Sequence, residues 1–438
     1  MKNLRSRTLP VLAASVALTL FAACGGGSGN NPSTAPQTSQ AGPVAEPTEP
    51  VTITFSSWVG NTKGMKKLYA QFKTEHPNIT VEFQDVPAEE SEKKLTTQVA
   101  GGNPPDAAYV DASNVATFAP RKALVNLESY MARSDGTKPA DFVDAFRAQT
   151  TVDGAMYGLP FDGETTGLFY RKDLFEAAGI TEAPKTWDEF TAAAAKLTDP
   201  AKKQYGFQVF APEAEYYFYP WLWQNGGELL SSDEKTFLLN NDVGKQAADY
   251  YVGLTKYSSP DYLNSNSYDA RIGFAQGQIA MYMAGSWFAG VLDDEFPKIK
   301  GKWATAPLPS GTAGCKTTIA GDALVLFAKG KKQDAAWKWI EYLNKPENMA
   351  IWTYKSEGTS LPPRIALLDS PELEKEKPVL KGFADLMKCG VNYNIANKSW
   401  PRVTEDLNTE LGNAMFAKVT PAEALDNTAA TFDKLGSR

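Results

Sequence analysis

Histidine is all but missing from this chain: His76 stands alone in 438 residues. Cysteine is nearly as scarce, with only Cys24, Cys315 and Cys389. Cys/His nucleophilic catalysis and His/Cys zinc coordination therefore lack their ingredients, and His76, beside Pro77 at a predicted helix end, reads as an exposed residue. No glycine-rich loop that could cradle a phosphate follows a strand. Basic stripes are absent too, and a net charge of −7 argues against a nucleic-acid partner. The N-terminal apolar run, residues 9–22, falls short of the ~20 residues that a membrane-spanning helix needs. No metal, no cofactor and no catalytic residue is expected. Paired carboxylates of a glycan-acting hydrolase are the one enzymatic alternative left open by composition.

What is present is ordinary in bulk and unusual in one respect. Hydrophobic residues make up 43% and charged residues 22%, as in soluble globular proteins, and the length implies more than one domain. Aromatic residues reach 11%, with 10 Trp, 18 Tyr and 22 Phe, so the surplus rings need a place.

The N-terminus addresses compartment. Lys2, Arg5 and Arg7 precede the apolar run, and small residues Ala22 and Ala23 precede Cys24, which is the pattern of an export signal over residues 1–23. Phe21-Ala22-Ala23-Cys24 resembles a bacterial lipobox, which implies lipidation of Cys24 and anchoring to the outer face of the cell membrane. A plain secretory cut after Ala23 is the alternative. Residues 24–50 are rich in Gly, Ser, Thr, Pro and Gln without a hydrophobic period, and are expected to form a disordered tether. In an exported protein the even pair Cys315 and Cys389 is a disulfide candidate, worth on the order of 4 kcal/mol if bridged; two separate buried thiols are the alternative.

Along the mature chain, strands are expected at 51–55, 79–83 and 107–110, separated by amphipathic helices near 64–75 and around Leu95 and Val99. This β-α-β-α-β order predicts a doubly wound parallel sheet, which binds ligands at the carboxyl ends of its strands, where Trp58 and Asp111 fall. Residues 151–159 read as a hairpin around Asp153-Gly154. The segment 157–175 reads as a stiff crossing at Pro160, a polar acidic turn carrying Asp162 and Glu164, and a buried strand at Leu168-Phe169-Tyr170. Thr186 with Glu189, and Thr420 with Glu423, have capping-box spacing. Residues 216–223, YYFYPWLW, form a dense aromatic cluster. Strands near 205–210, 279–283, 303–308 and 317–327 alternate with helices, and the last helices run near 371–387, 401–417 and from Pro421. The body is α/β.

Five segments, in order, resemble the extracellular solute-binding proteins of the maltose-binding-like group, the substrate receptors of ABC importers. They are Gly101-Gly102-Asn103-Pro104-Pro105-Asp106 through Asp111; Leu159-Pro160 with Glu164 through Phe175 and Thr186-Trp187-Asp188-Glu189-Phe190; Trp223-Gln224-Asn225-Gly226-Gly227; Phe274 through Met281 with Gly285-Ser286-Trp287; and Ala306-Pro307-Leu308-Pro309 leading to Gly321-Asp322. Arg171 departs from the pattern, where many relatives have Asn. The resemblance implies a two-lobe periplasmic-binding-protein-like fold with a multi-strand hinge that closes over its ligand. Residues 51–160 plus 307–357 are assigned to lobe I and 161–306 plus 358–438 to lobe II. On that division a Cys315–Cys389 bridge would join the lobes and limit opening.

A sugar presents hydroxyls around its edge and C–H on its faces, so its site needs flat rings with acceptors and donors in the ring plane. Trp58, Tyr219, Trp221, Trp287 and Trp400 are the candidate platforms. Asp111, Glu164 and Asp322 are the candidate acceptors, with Asp162 in reserve; Asn114 joins them as a ligand-binding candidate and Arg364 as a planar donor. Glu164 could instead be a solvated loop carboxylate, and Asp322 could cap a turn. Trp187, Trp337, Trp339 and Trp352 lie in or at the starts of ordinary helices and read as packing. The expected function is capture of a di- or oligosaccharide and its delivery to the importer's membrane permease, by a monomer. A polyol phosphate or a peptide is the alternative ligand.

Overall fold

The computed structural model describes residues 42–436 except 135, 211–212, 261–266, 356–357, 392–394, 396 and 398. The export signal, Cys24 and the first part of the tether lie outside the described residues. The strands are β1 (Val51–Ser57), β2 (Ile79–Asp85), β3 (Ala107–Asp111), β4 (Thr151–Val152), β5 (Ala155–Met156), β6 (Gly158–Arg171), β7 (Tyr205–Phe207), β8 (Ile279–Gly285), β9 (Trp303–Ala306), β10 (Thr317–Leu326) and β11 (Gly390–Val391). Nine of them form one mixed sheet in the order β2-β1-β3-β10-β6-β8-β7, with β11 beside β10 and β9 beside β6. β1 is parallel to β2 and β3, as the alternating β-α-β pattern requires, and β7 is parallel to β8. β4 and β5 make the small hairpin around Asp153-Gly154, where Asp153 (φ 50°) and Gly154 (φ 81°) are both left-handed, as such a tight turn demands.

Two strands hold the sheet together. β6 is a single 14-residue strand that pairs with β10 in its first half and with β8 and β9 in its second. The polar turn expected at Asp162 and Glu164 is therefore strand. Pro160, which cannot donate to a ladder, is accommodated next to a bulge: Asp322 pairs with Asp162 and Ala323 with Pro160, leaving Phe161 as the extra residue. The register re-forms beyond it, so the chain crosses without breaking.

Apolar residues sort onto either side of this crossing. One pair of cores draws on residues between Val44 and Phe161 and between Ala323 and Met349. The other pair draws mainly on residues between Leu168 and Ile319 and on the later helices up to Phe432. Helix Trp187–Leu197 starts where Thr186 Oγ1 accepts from Glu189 N at 3.2 Å. Helix Pro421–Gly436 has a complete reciprocal cap: Glu423 N donates to Thr420 Oγ1 at 3.1 Å and Thr420 N to Glu423 Oε2 at 2.8 Å. The long helix expected near 371–387 is two, Pro371–Glu376 and Pro378–Leu386, because Pro378 cannot continue the first.

Two expectations are corrected here. Residues 42–50, read as tether, are docked on the body. Val44 is 3% exposed within the first core; Glu46 meets His76 Nδ1 at 3.0 Å and Lys338 Nζ at 3.2 Å; Asn78 Nδ2 donates to Pro47 O and Arg133 Nε to Gly42 O. Composition alone hid one buried valine and one well-placed acid. His76 is accordingly a partner of the stem rather than a free surface residue. Cys315 and Cys389 are bonded to each other, as expected, and the second correction concerns only what their bridge joins. Cys315 lies in a loop packed on the second half of the molecule: Ser310 N donates to Lys185 O and Ala313 N to Gln224 O. Cys389 precedes β11, which pairs with the first residues of β10. The bridge thus fastens neighbouring segments and does not tie one half to the other.

Candidate ligand-binding site

Strand register assembles the site. Asp322 on β10 stands opposite Asp111 of β3 on one side and opposite Asp162 of β6 on the other. Paired residues on adjacent strands share a face about 5 Å apart, so three carboxyl groups line up across three strands. Tyr109 and Glu164, each two residues from a member of the row, share that face by strand alternation. Tyr109 Oη lies 2.9 Å from Asp162 Oδ2 and 2.5 Å from Asp322 Oδ2, and Trp352 Nε1 donates to Asp162 Oδ2 at 2.5 Å. Asp111 Oδ1 accepts from Ser113 N at 2.8 Å. Glu164 lies over Gly285, where a Cβ would come within 1.9 Å of its Oε2; only glycine leaves room for this carboxyl.

Rings close both ends of the row. Trp58, half-buried after β1, packs on Tyr109 with ring centroids 4.6 Å apart. At the other end Glu164 neighbours Tyr216, whose Oη accepts from Trp287 Nε1 at 3.3 Å. The Trp287 ring is half-buried, with the Arg271 guanidinium 5.6 Å from its centre.

Among the described residues no Lys or Arg hydrogen-bonds or pairs with Asp111, Asp162, Glu164 or Asp322. The electrostatic result follows. Burial, then the charges of Asp162 and Asp111, push Glu164 up to about 8. Burial, then the same two neighbours, raises Asp322 well above the usual carboxylate range. Asp162 is raised by burial in spite of the donors around it. Asp111 is raised by burial against its Ser113 contacts, although its surface is exposed. Chemically, the row can accept from hydrogen-bond donors placed between the rings.

Four expected ligand contacts lie elsewhere. Tyr219 (0% exposed) and Trp221 (1%) are sealed in the core, where Trp221 packs on Trp187, Phe190 and Tyr251. The cluster places Tyr216 at the Glu164 end instead. Trp400 opens helix Trp400–Met415 but is buried in the same core. Arg364, 4% exposed, spends its guanidinium on Asp141, Asn344, Gly136 and Thr137. Asn114 is buried in helix Ser113–Phe118, directly after Asp111. Three site residues escaped the sequence reading. Tyr109 was within reach, since strand alternation from Asp111 predicts its face. Tyr216 lay hidden among equal rings, and Trp352, read as packing, lies on a helix whose docking angle no local pattern specifies.

A mixed sheet continuous through two crossing strands, with an acid-and-aromatic site at the crossing, defines a ligand receptor of the two-lobe binding-protein class. Residues 56–350 match the bacterial extracellular solute-binding proteins, and the chain belongs to that family. A Brucella abortus protein named simply as a binding protein is 31% identical over 301 residues, covering 66% of this chain and 69% of that protein. The lactose-binding protein of Rhizobium radiobacter is 25% identical over 300 residues, covering 65% and 67%. Among solved structures, the ABC-transporter solute-binding protein of Thermotoga lettingae, bound with α-D-tagatose, superposes with a TM-score of 0.78 at 26% identity, covering 89% of this chain and all of that one.

Proposed function

We propose that this protein is an extracytoplasmic carbohydrate receptor that captures a di- or oligosaccharide between two closing lobes and hands it to the permease of an ABC importer. The observation that carries this is the series Trp58, Tyr109, Asp322 and Asp162, Glu164, Tyr216, Trp287: rings at both ends and carboxyl groups between them. The rings supply faces for sugar C–H, and the acids accept from ring-edge hydroxyls. Ligands named for the relatives, lactose and tagatose, are of this chemical class. A phosphorylated polyol is disfavoured, because its anion would face four carboxyl groups with which, among the described residues, no Lys or Arg is paired.

The lobes would follow the expected division at Pro160. On the β10 side the crossing would move from Pro307 to near Gly321, since residues 310–318 pack with the second half. Export, lipidation at Cys24 and a monomeric state complete the proposal. Calorimetric titration and thermal-shift screening of residues 42–438 against mono-, di- and trisaccharides test it. Binding of at least one oligosaccharide is expected; no stabilisation by any sugar overturns the assignment. Release of reducing sugar from an oligosaccharide would make the protein an enzyme.

A further inference from the structure

The carboxyl groups of the row are not equivalent. Asp162 is 5% exposed, and its Oδ2 is engaged by both Trp352 Nε1 and Tyr109 Oη. Asp322 is more open to solvent and shares the same tyrosine oxygen at 2.5 Å. A tyrosine has one proton to donate. If it goes to Asp162, the contact with Asp322 is a hydrogen bond only when Asp322 brings a proton of its own. If it goes to Asp322, Asp162 must bring one. With both contacts made as full hydrogen bonds, the two acids and Tyr109 hold one proton beyond the tyrosine's, and the Trp352 N–H favours Asp162 as the ionised member.

We propose that Asp162, Tyr109 and Trp352 are positioning residues that keep a proton on Asp322, so that the cleft meets its ligand with a neutral carboxyl group at the centre of the crossing strands. The inference rests on the cleft being the ligand site and adds its protonation state. The place matters, because Asp162 and Asp322 are direct cross-strand partners at the bulge through which β6 passes from one half to the other. Two ionised carboxylates opposed there would repel across the strands that join the halves. The groups facing the pair are Asp111 and Tyr109 from β3 and Glu164 from β6, none of them cationic; Trp352, from helix Pro346–Thr353, supplies an uncharged donor. Burial raises both Asp322 and Asp162, and the charges of Asp162 and Asp111 add to it at Asp322.

Infrared spectroscopy of the ligand-free protein tests this directly. The Glu164→Gln background removes the other strongly raised carboxyl near the row. At pH 7 the difference between that protein and its Asp322→Asn derivative should contain one carboxylic-acid C=O band, and Asp162→Asn should convert the band to carboxylate absorption. No band, or a band indifferent to Asp162→Asn, overturns the proposal. Tyr109→Phe, which should also move the band's midpoint, serves if Asp162→Asn does not fold. With a sugar from the screen, affinity should fall as pH rises past the Asp322 titration, by up to about tenfold per unit, and Asp162→Asn should move that fall to lower pH. An affinity that is flat with pH while the band titrates also overturns it. A band present with no sugar bound at any pH refutes the carbohydrate assignment and leaves the proton where we place it.

Discussion

Arg364 and the acid row both place ionisable groups at the crossing, yet they are finished to different degrees. Every guanidinium nitrogen of Arg364 has an acceptor: Nε gives to Asn344 O, Nη1 to Asp141, and Nη2 to Gly136 O, Thr137 Oγ1 and Asn344 Oδ1. Asn344 in turn donates to Pro160 O, so this knot braces the start of β6. The acid row has more acceptors than donors, and among the described residues no Lys or Arg is paired with it. A buried polar network that closes on itself is architecture; one left open toward a cleft is waiting for something to close it. The same distinction separates Trp221, enclosed by rings, from Trp287, which keeps a partly open face.

Breaking the closed knot should do the most damage. Arg364→Leu leaves several acceptors and Asp141 without a partner and should cost about 3 kcal/mol of stability in urea unfolding, while ligand affinity per folded molecule is unchanged. An affinity loss without a stability loss would invert the comparison. Opening the site should do the reverse: Trp287→Ala is expected to weaken sugar binding by about 1–3 kcal/mol in calorimetry and to leave the unfolding midpoint nearly in place. The third test reads the row's own electrostatics. Glu164, at about 8 in the folded protein against 4.5 ordinarily, holds a proton that the unfolded chain releases. Between those values the native state binds more protons, so stability falls as pH rises, by at most about 1.4 kcal/mol per pH unit, and levels off above 8. Glu164→Gln should flatten that slope in pH-dependent melts; an unaltered slope would mean the carboxyl is not held in this state. The smallest effect is expected at the stem. Glu46→Ala removes a half-exposed acid shared by His76 and Lys338 and should cost about 1 kcal/mol or less, seen as faster amide exchange over residues 42–50.

Much of the fold was legible locally. The alternation of Ile53 with Phe55, the helical spacing of Met65, Leu68 and Phe72, and the Thr420/Glu423 cap each act within a few residues, where sequence and structure are nearly the same information. Asp111, Glu164 and Trp287 could be singled out from family-like segments. Failures arose where the deciding partner is distant. Asp162 and Glu164 suggested a polar turn after Pro160, but all three lie in one strand, with a bulge opposite Asp322. Arg364 offered a free donor, but Asn344 and Asp141 claimed it. Of the eight residues of YYFYPWLW, chemistry marks none as the one that turns to the cleft.

By itself the sequence determined the class of elements, the scarcity of catalytic chemistry and the family, because hydrophobic period, caps and composition are local properties. Only the tertiary structure decided that Asp111, Asp322 and Asp162 stand in one row, that Tyr109 lies between two of them, and that Tyr216 and Trp352 lie beside it. Strand register brings together residues more than two hundred positions apart in the chain, and no local preference encodes which of them will meet.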